Sequence, residues 1–282
     1  MSISVKDLTY THTASQVPAL DNIQLSLDPG TRTVIVGANG AGKSTLLSLL
    51  AGKRLASQAD IRIQGRDVFK DLPTGIVTYL GTEWAMNRVV RGDIMVSHFL
   101  DSVGGYNHKE RRDILLDLLD VDLDWRMHQI SDGERRRIQL VFGLMIPYNV
   151  LLLDEVTVDL DVEIRDNLLK FLKQDSEERG ATILYATHIF DDGLNLFPTH
   201  IAHMAFGSFV IPPCAWPPEP GSELGKRFAN TSLYKVALEW LREDRERRRV
   251  LEKNGLKERG ARRNQTVPSD SETFYRKYDY SH

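Results

Sequence analysis

The sequence predicts an α/β protein organised on a parallel sheet, and three stretches carry that expectation. A glycine-rich turn, Gly37-Ala38-Asn39-Gly40-Ala41-Gly42-Lys43-Ser44-Thr45, sits between the apolar run 33–36 and the apolar-periodic stretch 46–52. A second apolar run, 150–153, ends in Asp154-Glu155, and a third, 181–186, runs into Thr187-His188. The unbroken run 150–153 is the mark of a strand covered on both faces, and strands alternating with helical patterns imply a layered α/β core.

Taken in order, residues 3–10 and 23–27 alternate as strands ahead of the turn. Residues 60–65 read as a strand and turn, and 76–80 as a buried strand. From 91 to 119 the period becomes helical. Ile94, Val96, Phe99 and Leu100 line one segment, Ile114, Leu115, Leu118 and Leu119 another, and Gly104-Gly105 turns between them. A third helix starts near Ser131 and stops at Pro147. Helix 161–178, strand 181–186, short helix 190–196 and strands 200–205 and 208–211 complete the core. Residues 1–211 are thus expected to form one domain, with a helical subdomain inserted at about 84–147. Its prolines make 212–230 an expected linker. Leu233, Ala237, Trp240 and Leu241 recur at helical spacing, so 231–253 is an expected C-terminal helix. The polar stretch 254–282 is expected to be disordered.

Composition excludes several classes. With 41% hydrophobic and 27% charged residues the chain reads as an ordinary globular protein. A formal net charge of −3 gives no global case for nucleic acid or membrane binding. Cys214 is the only cysteine, so no internal disulfide forms. The most apolar stretch, 138–156, is broken by Gln139, Pro147, Asn149 and Asp154-Glu155, which bars a bilayer span. A cytoplasmic or nuclear location, or both, is the expectation. Residues 242–263 hold ten Lys/Arg against five Asp/Glu. The interspersed acids and the lone Trp240 argue against RNA binding and for a solvated or partner-docking helix.

The turn fits G-x-x-x-x-G-K-[ST] without a gap, and strand before with helix after is the context that pattern requires. Residues 37–45 can therefore cradle the phosphates of a nucleoside triphosphate, aided by the partial positive charge of the helix N-terminus. Lys43 can reach the β and γ phosphates, and Ser44 can ligate Mg²⁺. Asp154, ending a strand, is placed to hold the Mg²⁺ shell, and Glu155 to polarise the attacking water. The stretch Ser131-Asp132-Gly133-Glu134 alone reads as a helix N-cap with acids in its first turn.

The order of phosphate loop, Ser-x-Gly helix start, Asp-Glu strand and Ala186-Thr187-His188 resembles the ATP-binding-cassette (ABC) ATPases over residues 1–211. The resemblance implies an antiparallel β subdomain beside the parallel core, ATP and Mg²⁺ as ligands, and ATP hydrolysis. It also implies a head-to-tail dimer, homomeric or with another ABC chain. Ser131, Asp132, Gly133, Glu134 and Asp161 would then act across the dimer on the partner's ATP. Glu155 resembles the general base and His188 the switch histidine. Tyr10 or His12 stands where the family stacks an aromatic on adenine, and Thr82 falls nearest a family glutamine that contacts the metal. Asp132 replaces a usual glycine, Glu134 a usual glutamine and Val156 a usual proline.

Further stretches, among them Tyr79-Leu80-Gly81-Thr82-Glu83-Trp84, Trp125-Arg126-Met127-His128 and Leu238-Glu239-Trp240-Leu241, are similar to soluble eukaryotic ABC proteins. These include a fungal factor of the Ccr–Not transcription-regulatory complex and plant subfamily I members. That resemblance implies an ATPase regulating a gene-expression complex through protein partners. The alternative is the ATPase subunit of a membrane transporter. A nucleotide-gated module with little turnover is a third reading, raised by the missing glutamine.

Overall fold

The computed structural model describes residues 1–13, 17–56, 59–81, 84 and 89–254. Two compact units result, Met1–Trp240 and Leu241–His282. The first unit begins with β1 (Ile3–Tyr10), β2 (Leu20–Leu27), β3 (Arg32–Val36), α1 (Lys43–Leu50), β4 (Asp60–Ile63), β5 (Arg66–Asp67) and β6 (Val77–Leu80). Helices α2 (Val96–Ser102), α3 (Lys109–Leu118) and α4 (Asp132–Met145) follow. The chain returns through β7 (Val150–Asp154), α5 (Val162–Arg179), β8 (Thr182–Ala186), α6 (Asp192–Asn195), β9 (His200–Ala205) and β10 (Ser208–Ala215). Helix α7 (Glu223–Phe228) precedes α8 (Leu233–Lys253), which continues into the second unit.

One sheet is antiparallel, in the order β2-β1-β4-β5. The other runs β10-β9-β3-β8-β7-β6, parallel from β9 to β6 with β10 antiparallel at its edge. Its central strands are buried on both faces and split their side chains by the two-residue strand period. Val34 and Val36, Leu151 and Leu153, and Ile183 and Tyr185 join a core with α4 and α5. Ile35, Leu152, Leu184 and Ala186 join a second core with α1 and the antiparallel sheet. The expected apolar runs thus feed two cores at once.

The inserted helices are tied down by charge as well as packing. Asp175 on α5, 5% exposed, receives Arg111 of α3 through two bonds of 2.7 and 2.9 Å. Arg179 supplies two more, of 2.8 and 2.7 Å, and Arg111 also donates to the Leu144 carbonyl of α4. Burial alone would push the Asp175 carboxyl up. The hydrogen bonds from Arg179 and Arg111 outweigh it and hold the carboxyl well below the usual carboxylate range.

The segment expected to be a linker, 212–230, is structured instead. Strand β10 runs through Pro212 and Pro213 to Ala215. Among the described residues it pairs with β9 alone, and the register shifts between Ile211 and Cys214, so the prolines sit at an irregularity on an edge strand, where a missing N–H is tolerated. Trp216 is buried and donates its indole N–H to the Asn195 carbonyl. Ser222 caps α7, and Phe228 is buried. Leu233, Val236, Ala237 and Trp240 are buried too, and the Trp240 ring stacks on His203 at 4.9 Å. Of the expected disordered tail, Asn254 forms a turn and the rest lies outside the described residues.

Replacing Asp175 with Asn leaves two guanidinium groups facing a neutral amide. Urea unfolding at pH 7 should show a loss of about 3 kcal/mol. Because the folded carboxyl lies below its unfolded value, its contribution is whole above about pH 5 and is lost as the pH falls through the lower folded value. The Asn variant should lack that part of the acid sensitivity.

Candidate functional site

Strands β3, β8 and β7 end level with one another. Ile35 pairs with Ala186, and Ala186 with Asp154. Ligands of open α/β sheets bind outside these C-terminal strand ends. The glycine-rich turn leaves β3 at this point and enters α1.

Close packing explains two of the turn's glycines. A Cβ on Gly37 would lie 2.3 Å from the Met204 carbonyl oxygen. Gly42, the residue before α1, has φ 104°, and a Cβ there would meet Leu20 and the Ala19 carbonyl below 3 Å. Lys43 is 4% exposed, and its ammonium donates to the carbonyls of Gly37 (2.7 Å) and Ala38 (3.2 Å). Burial pushes the ammonium down, against the upward pull of Glu155 and Asp154.

Ser44 and Asp154, 110 positions apart, meet with the Ser44 hydroxyl donating to Oδ1 at 3.0 Å. Burial pushes the Asp154 carboxyl up, against hydrogen bonds from Ser44 and Tyr79 and the Lys43 charge, while Glu155 adds to the rise. A hydroxyl beside a desolvated carboxylate is an all-oxygen donor pair, and it fits Mg²⁺.

Glu155 follows with φ 54°, a left-handed conformation uncommon outside glycine, and its N–H donates to the Ala186 carbonyl at 2.9 Å. Strain of this kind persists where the surroundings over-determine it, often at active sites. Its Oε1 lies 3.2 Å from His188 Nδ1. The expected base and the expected switch histidine therefore face each other at the strand ends.

Tyr10 and His12 stand at the rim. Tyr10 packs partly against the second core and meets the His12 ring edge to face, centroids 5.2 Å apart. His12 Nε2 is 3.4 Å from Thr45 Oγ1, and Nδ1 is 3.4 Å from an Arg54 nitrogen. His12 is thus the ring directly beside the phosphate loop, and Tyr10 supports it. Thr82 lies outside the described residues.

The remaining expected residues gather at the start of α4. Ser131 caps it in a reciprocal box: its hydroxyl accepts from Glu134 N (3.2 Å), while Glu134 Oε2 accepts from Ser131 N (2.8 Å) and Oγ (2.7 Å). Asp132 pairs with Arg135, and Asp161 with Arg137 at 2.7 Å. A Cβ on Gly133 would lie 3.1 Å from the Asp159 carbonyl oxygen, so the loop carrying Asp161 packs directly on the helix start. Ser131, Asp132 and Asp161 are exposed.

Residues that sequence reasoning did not single out complete the picture. The Tyr79 hydroxyl donates to Asp154 Oδ2 at 3.2 Å. Thr157, after Glu155, shares a hydrogen bond with Tyr185 of β8, and Arg165 joins Asp191 (2.8 Å) to the Leu160 carbonyl (3.0 Å). No local pattern marks these roles, since Tyr79, Thr157 and Arg165 each meet a partner at least 26 positions away.

A phosphate loop whose lysine, hydroxyl and carboxylate converge with a strained glutamate at level strand ends defines a P-loop nucleoside triphosphatase. The chain belongs to the ABC transporter family, whose family model matches residues 20–158, and it is an ATP hydrolase of that family. ABC transporter I family member 20 of Arabidopsis thaliana is 43% identical over 255 residues, covering 86% of this chain and 75% of the relative. CCR4-associated factor 16 of Saccharomyces cerevisiae is 46% identical over 224 residues, covering 74% and 77%. The fold matches the ATP-binding subunit of an ABC transporter with TM-score 0.69 at 19% identity, over 85% of this chain and 99% of the other. It also matches a dimeric ATP-binding cassette holding ADP and phosphate with TM-score 0.59 at 20% identity, over 74% and 96%. No helix among the described residues is long and apolar enough to cross a membrane.

Gly42→Ala tests the loop geometry. A left-handed alanine pressed on a backbone carbonyl should cost about 2 kcal/mol in chemical unfolding and abolish ATP binding measured by calorimetry.

Proposed function

We propose that this chain binds Mg-ATP between two ABC domains closed head to tail, two copies or one copy with another ABC chain, and that hydrolysis reopens them. The closed and open states would act on protein partners of a gene-expression complex. The observation that carries the reading is the pairing of two unlike half-sites on one chain. One is the phosphate loop with Asp154, Glu155 and His188. The other is the exposed, internally capped start of α4 with Asp161 beside it. A capped helix start offers backbone N–H groups to an anion, and its exposure leaves it open to a partner's γ-phosphate.

In this reading Lys43 exchanges its loop carbonyls for β- and γ-phosphate oxygens. Ser44 and Asp154 hold Mg²⁺, with Thr82 as a further candidate ligand. The ion, when bound, neutralises charge on the phosphate oxygens. The Glu155 carboxylate takes a proton from the attacking water, and His188, beside it, orients that carboxylate and faces the γ-phosphate. His12, backed by Tyr10, stacks on adenine. Ser131, Gly133 and Asp161, with Asp132 and Glu134 shaping the helix start, close on the partner's nucleotide. Binding energy shared by both chains drives closure, and its loss on hydrolysis opens the pair.

The regulatory output draws support from the yeast relative, whose name associates it with CCR4. The transporter reading has its own support: the nitrate import ATP-binding protein NrtC of Synechococcus elongatus is 35% identical over 187 residues.

Glu155→Gln should keep Mg-ATP binding and lower turnover by about 10²–10⁴. Light scattering at saturating Mg-ATP should show it as a dimer, and Ser131→Arg in that background should return it to monomer. Lys43→Ala should bind no ATP. A Glu155→Gln chain that remains monomeric alone and when mixed with other soluble ABC chains overturns the head-to-tail reading.

A further inference from the structure

We propose that Tyr79 is a positioning residue for the metal-binding carboxylate. Its hydroxyl fixes the Asp154 oxygen that Ser44 does not hold, and so sets the affinity of the site for a divalent cation. The inference rests on the Mg-ATP reading above and deepens it.

The two oxygens of Asp154 are each held by a different hydroxyl. Ser44 donates to Oδ1 at 3.0 Å, and Tyr79 to Oδ2 at 3.2 Å. A carboxylate that rotates loses its aim at a cation, and partners behind a ligand commonly govern metal affinity as strongly as the ligand's own geometry. Tyr79 lies on β6 and Asp154 on β7, which pair in parallel, so the contact is built into the sheet rather than carried by a loop.

Two further features hold the phenol where it is. A Cβ on Gly81 would lie 2.5 Å from the Tyr79 hydroxyl oxygen, so the ring reaches Asp154 only because residue 81 has no side chain. The Gly81 carbonyl is in turn gripped by two buried side chains of α4, Gln139 at 2.8 Å and Arg136 at 3.2 Å. The backbone beyond Tyr79 is therefore pinned in the position that leaves room for the hydroxyl. On the ring's face, the Lys53 ammonium sits 4.6 Å from the centroid, which draws electron density from the phenol and strengthens its O–H as a donor.

The role differs from that of a ligand. Tyr79 acts through Asp154, and its hydroxyl bonds to that carboxylate rather than to the phosphate loop. The expected signature is a loss confined to the metal-dependent part of nucleotide binding.

Tyr79→Phe keeps the ring and removes one oxygen. In EDTA it should bind ATP as the parent does and melt at the parent's temperature. With ATP present, Mn²⁺ binding followed by electron paramagnetic resonance, and Mg²⁺ titration of nucleotide affinity, should both show cation affinity reduced about 10-fold or more. Gly81→Ala, which displaces the hydroxyl, should give a similar loss, and the double variant should add little to either single one. Parental Mn²⁺ and Mg²⁺ affinity in a folded Tyr79→Phe protein overturns the inference. A parent whose ATP affinity is indifferent to Mg²⁺ overturns the underlying Mg-ATP reading instead, so the two failures are told apart.

Discussion

The Ser44 hydroxyl reaches the Asp154 carboxylate across 110 positions of sequence because β3, β8 and β7 end at one level of the sheet. That level is a matter of register. The side-chain period of a strand is two, so a one-residue slip of β7 would exchange its core faces and carry Asp154 away from the loop. Register here is held by burial on both sides: Leu151 and Leu153 fill one core while Val150 and Leu152 fill the other. The energy that aligns the site is thus the hydrophobic energy of the strands behind it. The site itself is costly, with a lysine and a carboxylate both shifted against their charged forms by burial. A fold with less apolar surface behind these strand ends would hold such a pair poorly.

The inserted helices use a different fastening. Their packing against the core is supplemented by Arg111 and Arg179 on Asp175, and by Arg136 reaching the Gly81 carbonyl. Buried ion pairs of this kind contribute less to net stability than to geometry, because desolvation offsets much of the attraction. Their effect is to index α3 and α4 against α5 and β6. Indexing matters for α4 above all, since its first turn carries Ser131 and Gly133 while its interior grips the end of β6.

How much of this was legible in the sequence follows from the range of each interaction. The phosphate loop is one contiguous stretch, and strand, turn and helix around it were read correctly because each signal is local. The runs ending at Leu153 and Ala186 announced themselves by apolar continuity, which only a strand covered on both faces tolerates. Pro212-Pro213 misled for the converse reason. Proline is a local signal against a strand, yet β10 extends its hairpin with β9 at the edge of the sheet, where a missing N–H is tolerated. The role of Tyr79 was not legible, because its partner lies 75 positions away in the sequence. One aromatic residue in a strand looks like core, and nothing near it in sequence shows that its hydroxyl faces Asp154. His12 and Tyr10 belong to one short stretch, and the contact of His12 with Thr45 is a spatial difference that the sequence does not show.

The start of α4 poses a last physical question, because it places Asp132 and Glu134 at the helix end proposed above to meet an anion. Two carboxylates beside an incoming phosphate would repel it if they stood alone. Neither does. Asp132 is paired with Arg135, and Glu134 turns back onto Ser131, where two hydrogen bonds from Ser131, with Arg137 nearby, hold its carboxyl below the usual range. Arg137 is also shared between Asp120 and Asp161, and Arg136 faces Asp159 at 3.7 Å. Three consecutive arginines thus face Asp120, Asp132, Glu134, Asp159 and Asp161 and offset part of their negative charge. What remains for an approaching phosphate is the set of backbone N–H groups and the helix dipole, which no side-chain charge there cancels outright. Glu134 adds stiffness that a neutral amide would supply less firmly, since a carboxylate accepts the Ser131 N–H more strongly. The acidic substitutions at this helix start are therefore compatible with an anion-binding role, provided the arginine triplet accompanies them.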